Sequence, residues 1–514
     1  MCLYQTKCFV DIVSDRWPES FYHDAGSVMT IGKREQFGLP DQIVFFIDKQ
    51  TVYVCFLFFT GTCLSAPGTG RKNTCAETRM IMKRFGALVL ALGLCMGTLA
   101  GCGSSSSEAP AQETATEETA AEETTDAAAE ADGTEAAADT GIPSDLKVGF
   151  IFLHDENSTY DLNFMNAADE AREALGLSED QFIYRKNIPE GQECYDAACE
   201  LVDAGCSIVF ADSFGHEDYM IQAAREFPDV QFCHATGTKA HTEGLDNYHN
   251  AFASIYEGRY LAGVAAGMKL NEMIDAGEFT ADEAKMGYVG AFTYAEVISG
   301  YTSFYLGAKS VCPTVTMDVT FTGSWYDETA EKEGANKLIA SGCKLISQHA
   351  DSMGAPTACE TAGVPNVSYN GSTIAACPNT FIVSSRIDWA PYYEHVINNV
   401  VAGQAVEADW TGTLETGSVV LTDINEAVAA EGTAAKLEEV KKALMDGTTH
   451  VFDTATFTVD GQAVDSYQAD VDTDADYTPD TEVVSDGYYH ESEYRAAPYF
   501  DLKIDGINLL DTAF

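Results

Sequence analysis

Basic residues are scarce in this chain. Its 514 residues include 29 Lys and Arg against 80 Asp and Glu, a net charge of −51. A surface of that sign cannot condense on the phosphates of DNA or RNA. Anionic lipid headgroups repel it as well, so charge cannot hold it to a membrane. Catalytic signatures are also missing: there is no P-loop, no H-E-x-x-H, no G-x-S-x-G and no G-x-G-x-x-G after the first strand of the folded region. Their absence argues against the common phosphate-cradling, zinc-hydrolase and serine-hydrolase chemistries. His349 and Asp351 stand two apart at a strand end, but no further ligand lies at metal spacing. The fifteen cysteines include no C-x-x-C pair, and Cys194 and Cys199 are five apart on an expected helix, so they face different ways. Most of the eight cysteines after Cys102 read as small buried hydrophobes, with room for one or two disulfides of unreadable pairing. The sequence therefore points to a binding protein without cofactor or metal, and not to an enzyme.

What is present begins with a leader-like segment. Met82-Lys83-Arg84 precedes an apolar run from Phe85 to Leu99, which ends in Ala100-Gly101-Cys102. A basic start, a short apolar core and a small-residue exit make a secretory signal peptide. The run is about fifteen residues, short of the roughly 20 that a spanning helix needs. Leu99-Ala100-Gly101-Cys102 resembles the bacterial lipobox, which implies lipidation of Cys102 and anchoring to the membrane by acyl chains. A signal of this kind is read at a chain start, so Met82 or Met80 is the expected start and residues 1–79 are expected to be upstream translation or disordered, the alternative being a genuine cytoplasmic or membrane pre-domain. Val44–Ile47 and Val52–Thr60 there show no clean helical or strand period. Residues 103–141 contain no Lys, Arg, aromatic, Leu, Val or Ile. Such a stretch cannot bury a core, so 102–145 reads as an acidic tether.

From Leu146 onward, β-rich runs alternate with helical patterns. Strands are expected at Lys147–Leu153, Phe182–Asn187, Ser207–Ser213, Val230–Thr236, Lys285–Phe292, Val315–Thr322, Lys344–Ala350, Asn366–Asn370 and Phe381–Ile387. Helices fall between them, with Gly176, Gly205 and Gly342 as closing residues. This alternation predicts an α/β architecture of parallel sheets flanked by helices. A long helical break near Glu257–Glu278 divides it into two lobes, giving a two-lobed periplasmic-binding-protein-like fold with hinge crossovers. The expected partition is 146–245 with 366–404 as one lobe, 246–365 with 405–464 as the other, and 465–514 as a C-terminal extension. His450–Val459 reads as a strand pair. Ligands of open parallel sheets sit beyond the carboxyl ends of the strands. Those ends carry Ser213, Phe292, Trp325, Asp351 and Asn370 among aromatics and uncharged or acidic groups, with few cations. A flat, polar-edged, uncharged ligand suits them.

Several stretches resemble one family: Lys147-Val-Gly-Phe-Ile, Phe210-Ala-Asp-Ser-Phe-Gly, Ile255-Tyr-Glu-Gly-Arg-Tyr-Leu-Ala-Gly263, Ser324-Trp-Tyr-Asp327 and Gln348-His-Ala-Asp-Ser352. Together they are similar to the BMP (basic membrane protein, or PnrA-like) substrate-binding lipoproteins of ABC transporters. The resemblance implies a purine base or nucleoside as ligand and an ABC permease as partner. The family's base-stacking aromatic follows an Asp in the first strand–helix loop, which maps onto Asp161-Leu162-Asn163-Phe164 and makes Phe164 one face of the base. Where the family has an acid for ribose this chain has Asn370, and the Lys found near the position of Asp388 is absent. These departures bear against ribose recognition, and the Ser-Trp-Tyr-Asp and Gln-His-Ala-Asp-Ser motifs are similar to a subgroup suited to a free base such as adenine. The resemblance further implies Asp351 as acceptor of a base N–H, with Trp325 and Trp389 closing the pocket.

Each assignment has a structural rival. Phe164 sits on an expected helix and could be core. Trp325 could staple a strand end to a helix, and Asp351 could cap the helix after it. A sensory lipoprotein signalling to a membrane receptor, or a binder of another heterocycle such as a flavin, would share the same features.

Overall fold

The computed structural model describes residues 141–471 and 478–511, and the backbone of three strands nearer the start. Those strands, β1 (Ser27–Thr30), β2 (Ile43–Asp48) and β3 (Thr51–Phe56), pair antiparallel in the order β1-β2-β3. The segments in which no strand period is legible thus lie largely on β2 and β3. The unit Met1–Ala128 is separate from Ala129–Phe514, which holds both lobes. The signal segment, Cys102 and the tether up to residue 140 lie outside the described residues. Among the described residues no helix is long and apolar enough to cross a membrane.

The first lobe is built on six parallel strands in the order β14-β8-β7-β6-β4-β5. These are β4 (Val148–Ile151), β5 (Phe182–Arg185), β6 (Ile208–Ala211), β7 (Gln231–Ala235), β8 (Tyr248–Ala253) and β14 (Asp409–Gly412). The central runs Val-Gly-Phe-Ile and Ile-Val-Phe-Ala are buried throughout, as strands covered on both faces must be. Helices α1 (Thr159–Ala174), α2 (Gln192–Asp203) and α3 (Glu217–Glu226) cover them; a short α4 (Ala240–Glu243) precedes β8.

The second sheet has seven strands in the order β15-β13-β12-β11-β9-β10-β20. They are β9 (Lys285–Gly290), β10 (Thr316–Phe321), β11 (Leu345–His349), β12 (Asn366–Tyr369), β13 (Phe381–Ile387), β15 (Val419–Leu421) and β20 (Ile507–Leu509). Only β15 runs antiparallel to its neighbour. Helices α5 (Ile255–Asp275), α6 (Ala295–Val311), α7 (Glu328–Ala340), α8 (Gly354–Ala362) and α10 (Thr433–Met445) accompany it. Helix α9 (Ala390–Ala402) returns to pack on α1 of the first lobe.

The chain crosses between lobes after β8, after β13 and after β14. This corrects the expected partition. Residues 366–404 do not all belong to the first lobe: β12 and β13 hydrogen-bond into the second sheet, and only α9 goes back. Likewise β8 and β14 complete the first sheet although both lie in stretches assigned to the second lobe. Strand–helix alternation reports how many units there are but not where the chain changes sheet. His450–Val459 forms turns and isolated bridges, Asp453 with Tyr488 and Val459 with Gln462, in place of a strand pair; two short antiparallel pairs follow, β16 (Gln468–Ala469) with β17 (Thr481–Glu482) and β18 (Val484–Ser485) with β19 (Tyr488–Tyr489). The three expected closing glycines do take left-handed backbone, with φ of 67°, 91° and 97° at Gly176, Gly205 and Gly342.

Candidate functional site

Strand ends from both lobes converge on a narrow cavity. The first lobe contributes Leu153, Tyr160, Ser213, Phe214 and Thr236; the second contributes Glu296, Trp325, His349, Asp351, Tyr369 and Asn370. No Lys or Arg lines it. The lobes meet around it. The Thr159 amide and hydroxyl both donate to the Asp351 carbonyl, at 3.0 and 3.2 Å. At the mouth Phe214 and Tyr294, 39% and 40% exposed, face each other with ring centroids 5.3 Å apart.

On the first lobe the site is organised by the start of α1. Ser158 is its N-cap, accepting from the Asp161 amide. Asp161 in turn accepts from the His154 amide at 2.7 Å and the Ser158 hydroxyl at 2.5 Å. Burial pushes the Asp161 carboxyl up, but these bonds pull it further down, below the ordinary carboxylate range. Tyr160 therefore projects from a fixed first turn, its hydroxyl donating to the Asp212 carbonyl at 2.7 Å. One turn later Phe164 points into the lobe, 2% exposed.

On the second lobe Asp351 follows β11. It is 5% exposed, and the Asn370 side-chain amide approaches its Oδ1 at 3.5 Å. Burial pushes its carboxyl well above the usual range, and Asp161, Glu331 and Glu296 push the same way. It caps nothing: Met353 is the N-cap of α8, and the Gly354 amide donates to Ser352. His349 Nε2 lies 3.3 Å from Glu296 Oε1, and its Nδ1 is buried without a partner. Burial lowers the His349 pKa despite Glu296, so the ring is neutral near pH 7. The Thr236 hydroxyl is also buried and unpartnered. Thr236 and Asn370 both adopt left-handed backbone, φ 70° and 67°. For β-branched Thr that conformation is strained, and strain of this kind concentrates at functional sites.

Beneath this floor lies Arg259 of α5, fully buried. It donates to the Ser368 carbonyl and to the hydroxyls of Ser385, Tyr288 and Ser347 at 2.9–3.3 Å. Its guanidinium stands 4.8 Å from the Tyr369 ring centroid. One side chain thus ties together four adjacent strands, β9, β11, β12 and β13, below the cavity.

Of the residues singled out from the sequence, Ser213, Trp325, Asp351 and Asn370 line the cavity. Phe292 stands behind them, its ring 5.1 Å from Trp325. Phe164 and Trp389 are stacked on each other at 4.4 Å and buried at 2% and 1%. They are core, not cavity wall, because Phe164 of α1 and Trp389, the N-cap of α9, pack on each other where the two helices meet. Asn163 donates to the Ile387 carbonyl at 2.5 Å and so braces the second lobe crossing. Asp161 is a buried first-turn carboxylate that holds the Ser158 hydroxyl and the His154 amide. Sequence reasoning missed Tyr160, Phe214, Thr236, Glu296 and His349. The capping signal at Ser158 could have found Tyr160: residues in the first turn of such a helix face the strand ends, whereas those one turn on face the core.

The model of the Bmp family, PnrA-like ABC transporter substrate-binding proteins, matches residues 150–449, more than half of the chain. The chain belongs to this family. Its fold class and its role as an ABC transporter substrate-binding protein follow from that membership, and such proteins work outside the cytoplasm. A purine-binding protein of Brucella abortus (strain 2308) is 33% identical over 252 residues, covering 48% of this chain and 67% of that one. A Haloferax volcanii protein named for glucose binding in an ABC transporter is 30% identical over 276 residues, covering 53% and 66%. The chain thus spans about two thirds of the length of these curated relatives. Among solved structures, an ABC transporter solute-binding protein of Aeropyrum pernix K1 aligns over 60% of this chain and 93% of that one. Its identity is 17% and the TM-score 0.50, a likeness of fold alone.

Proposed function

We propose that this PnrA-like chain is the receptor of an importer for a purine, a free base such as adenine or its nucleoside. The reading rests on one observation: the cavity wall combines the rings of Tyr160, Phe214, Trp325 and Tyr369 with the carboxyls of Glu296 and Asp351, and has no cation. Rings stack on a flat heterocycle, worth roughly 1–3 kcal/mol per base in nucleic-acid binders. A buried carboxylate is costly until an N–H donor meets it. A ligand with ring or exocyclic N–H groups supplies that donor, whereas a phosphate or carboxylate would meet two acids of its own sign. The purine-binding relative supports this reading, and the relative named for glucose marks its rival.

In this account the ligand enters the open cleft, the lobes close over it, and the closed form is offered to the permease. Cys102 is the lipidated residue that keeps the chain at the membrane, so Cys102→Ser should move it to the soluble fraction; continued partition with membranes would remove the anchor. The ligand itself is tested by denaturing the natively purified protein and analysing what is released by mass spectrometry. A purine in near-equimolar amount is expected. A hexose in that amount would replace the purine reading with the sugar one.

A further inference from the structure

The family match ends at residue 449, but residues 450–471 and 478–511 are built into the fold. This extension first builds its own small core. Phe452, Tyr489, Tyr499 and Phe500 are buried, Phe452 and Phe500 stack at 4.2 Å, and the Tyr489 amide donates to the Phe452 carbonyl at 3.0 Å.

It then holds on to both lobes. On the second lobe β20 lies parallel to β10 at the sheet edge, Met317 paired with Ile507 and Val319 with Leu509. Asn508 Nδ2 donates to Asp318 Oδ1 at 3.1 Å, and Lys309 of α6 donates to the Thr456 carbonyl at 3.1 Å. Buried Glu491 lies beside the Ser299 hydroxyl of α6, the helix whose first turn presents Glu296 to the cavity. On the first lobe the Ala496 amide donates to Asp409 Oδ2 at 2.6 Å, and Thr411 Oγ1 approaches the Ser492 carbonyl at 3.5 Å. Asp409 and Thr411 belong to β14, which runs directly into the third lobe crossing. The Phe452 ring packs 5.4 Å from Tyr256, which opens α5 immediately after the first crossing. Two of the three hinge segments are therefore flanked by the same appended piece of chain.

We propose that residues 450–471 and 478–511 form a strap across the hinge that favours the closed arrangement and slows its opening, so that the extension sets how long a bound ligand is retained. Both sets of contacts coexist with a shut cleft. Swinging the lobes apart moves β14 relative to α6 and β10, and the strap must then release one side. A contact made in only one of two states shifts their balance by its differential free energy, and release of a closed complex appears mainly in the dissociation rate.

The latch at Asp409 permits a test in the full chain that leaves the cavity untouched. Asp409→Asn weakens it from the lobe side, and Ala496→Pro removes the same donor from the strap side. Asp409 also pairs with His241 at 3.3 Å within the first lobe, so His241→Gln is the control. With adenine as probe, stopped-flow dissociation should quicken roughly threefold to tenfold in both latch variants, the scale of one ordinary net hydrogen bond. Association should stay within about twofold, and His241→Gln should match the parent. Hydrogen exchange of the ligand-free protein should quicken at 253–258 and 412–419 in the latch variants. The proposal is overturned if both latch variants keep the parent's hinge exchange, with faster exchange confined to 488–500; the extension is then packing alone. The strap's action rests on the lobes and not on the ligand class. If adenine fails to bind the parent, the purine reading falls while hinge exchange still decides the strap.

Discussion

Asp351 is a carboxyl held in the dry wall of a cleft with other acids around it. Its folded pKa lies above the ordinary value of 3.8, so ionising it costs stability. That cost is fully present above the folded pKa and fades as pH falls through it toward 3.8. Asp351→Asn should therefore raise the ligand-free Tm by a few degrees near pH 7.5 and leave it unchanged near pH 3.5, as read by calorimetry at both values. The same variant should weaken purine binding about tenfold to hundredfold, because a charge-assisted bond is worth roughly 1.5–3 kcal/mol. A variant that binds normally and melts lower would make Asp351 a structural residue. Tyr160 and Phe164 separate in the same way. Tyr160→Ala should cost affinity on the scale of one stacked base, roughly 1–3 kcal/mol. Phe164→Ala should cost about 3–5 kcal/mol of stability, because its ring stacks on Trp389 in the core, while affinity changes far less. The opposite pair of outcomes, measured by titration and thermal melts, would restore Phe164 to the cleft. The acid after β11 and the tryptophan after β10 were legible because strand ends are where ligands sit. The turn of α1 that faces the cleft was not, because that depends on where the helix starts: hydrophobic spacing places the start at Asn163, and the Ser158 cap sets it at Thr159, four residues earlier.

At the level of elements, the nine expected strands all form, since each is a short apolar run bounded by turn residues. β8 was not anticipated: its sequence, Tyr-His-Asn-Ala-Phe-Ala, carries polar residues that find partners only in the fold. Asn250 Oδ1 accepts from the Ala240 amide at 2.7 Å, and His249 lies 2.8 Å from Gln231 Oε1. β14 and β20 are edge strands whose partners are distant in sequence, so local pattern carries little of their placement. The α5–α6 crossing shows a further constraint that spacing does not reveal. A Cβ at Gly307 would stand 2.0 Å from the Tyr260 carbonyl oxygen, and one at Gly263 would stand 2.0 Å from that of Phe304. Backbone, not side chain, fills those gaps, so an added methyl forces the helices apart. Gly307→Ala should cost about 1–3 kcal/mol, seen as a lower denaturation midpoint. An unchanged midpoint would mean that the crossing is looser than described.

For the whole molecule, two sheets joined by three crossings leave one cleft between them, and the sequence pattern foretold the two lobes and the family but not where the chain changes sheet. The sequence marks 465–514 as a C-terminal extension but not where it attaches, because the strand and the carboxylate that hold it, β10 and Asp409, lie far from it in sequence. What the molecule does then rests on the cleft: rings, two acids and no cation, closed by both lobes. Isothermal titration of the ligand-free protein with adenine, adenosine and glucose in parallel tests that account most directly. Adenine or adenosine should bind with a micromolar or tighter Kd and a negative heat-capacity change from ring burial, with glucose giving no measurable heat. Saturable glucose binding with silent purines would contradict the account.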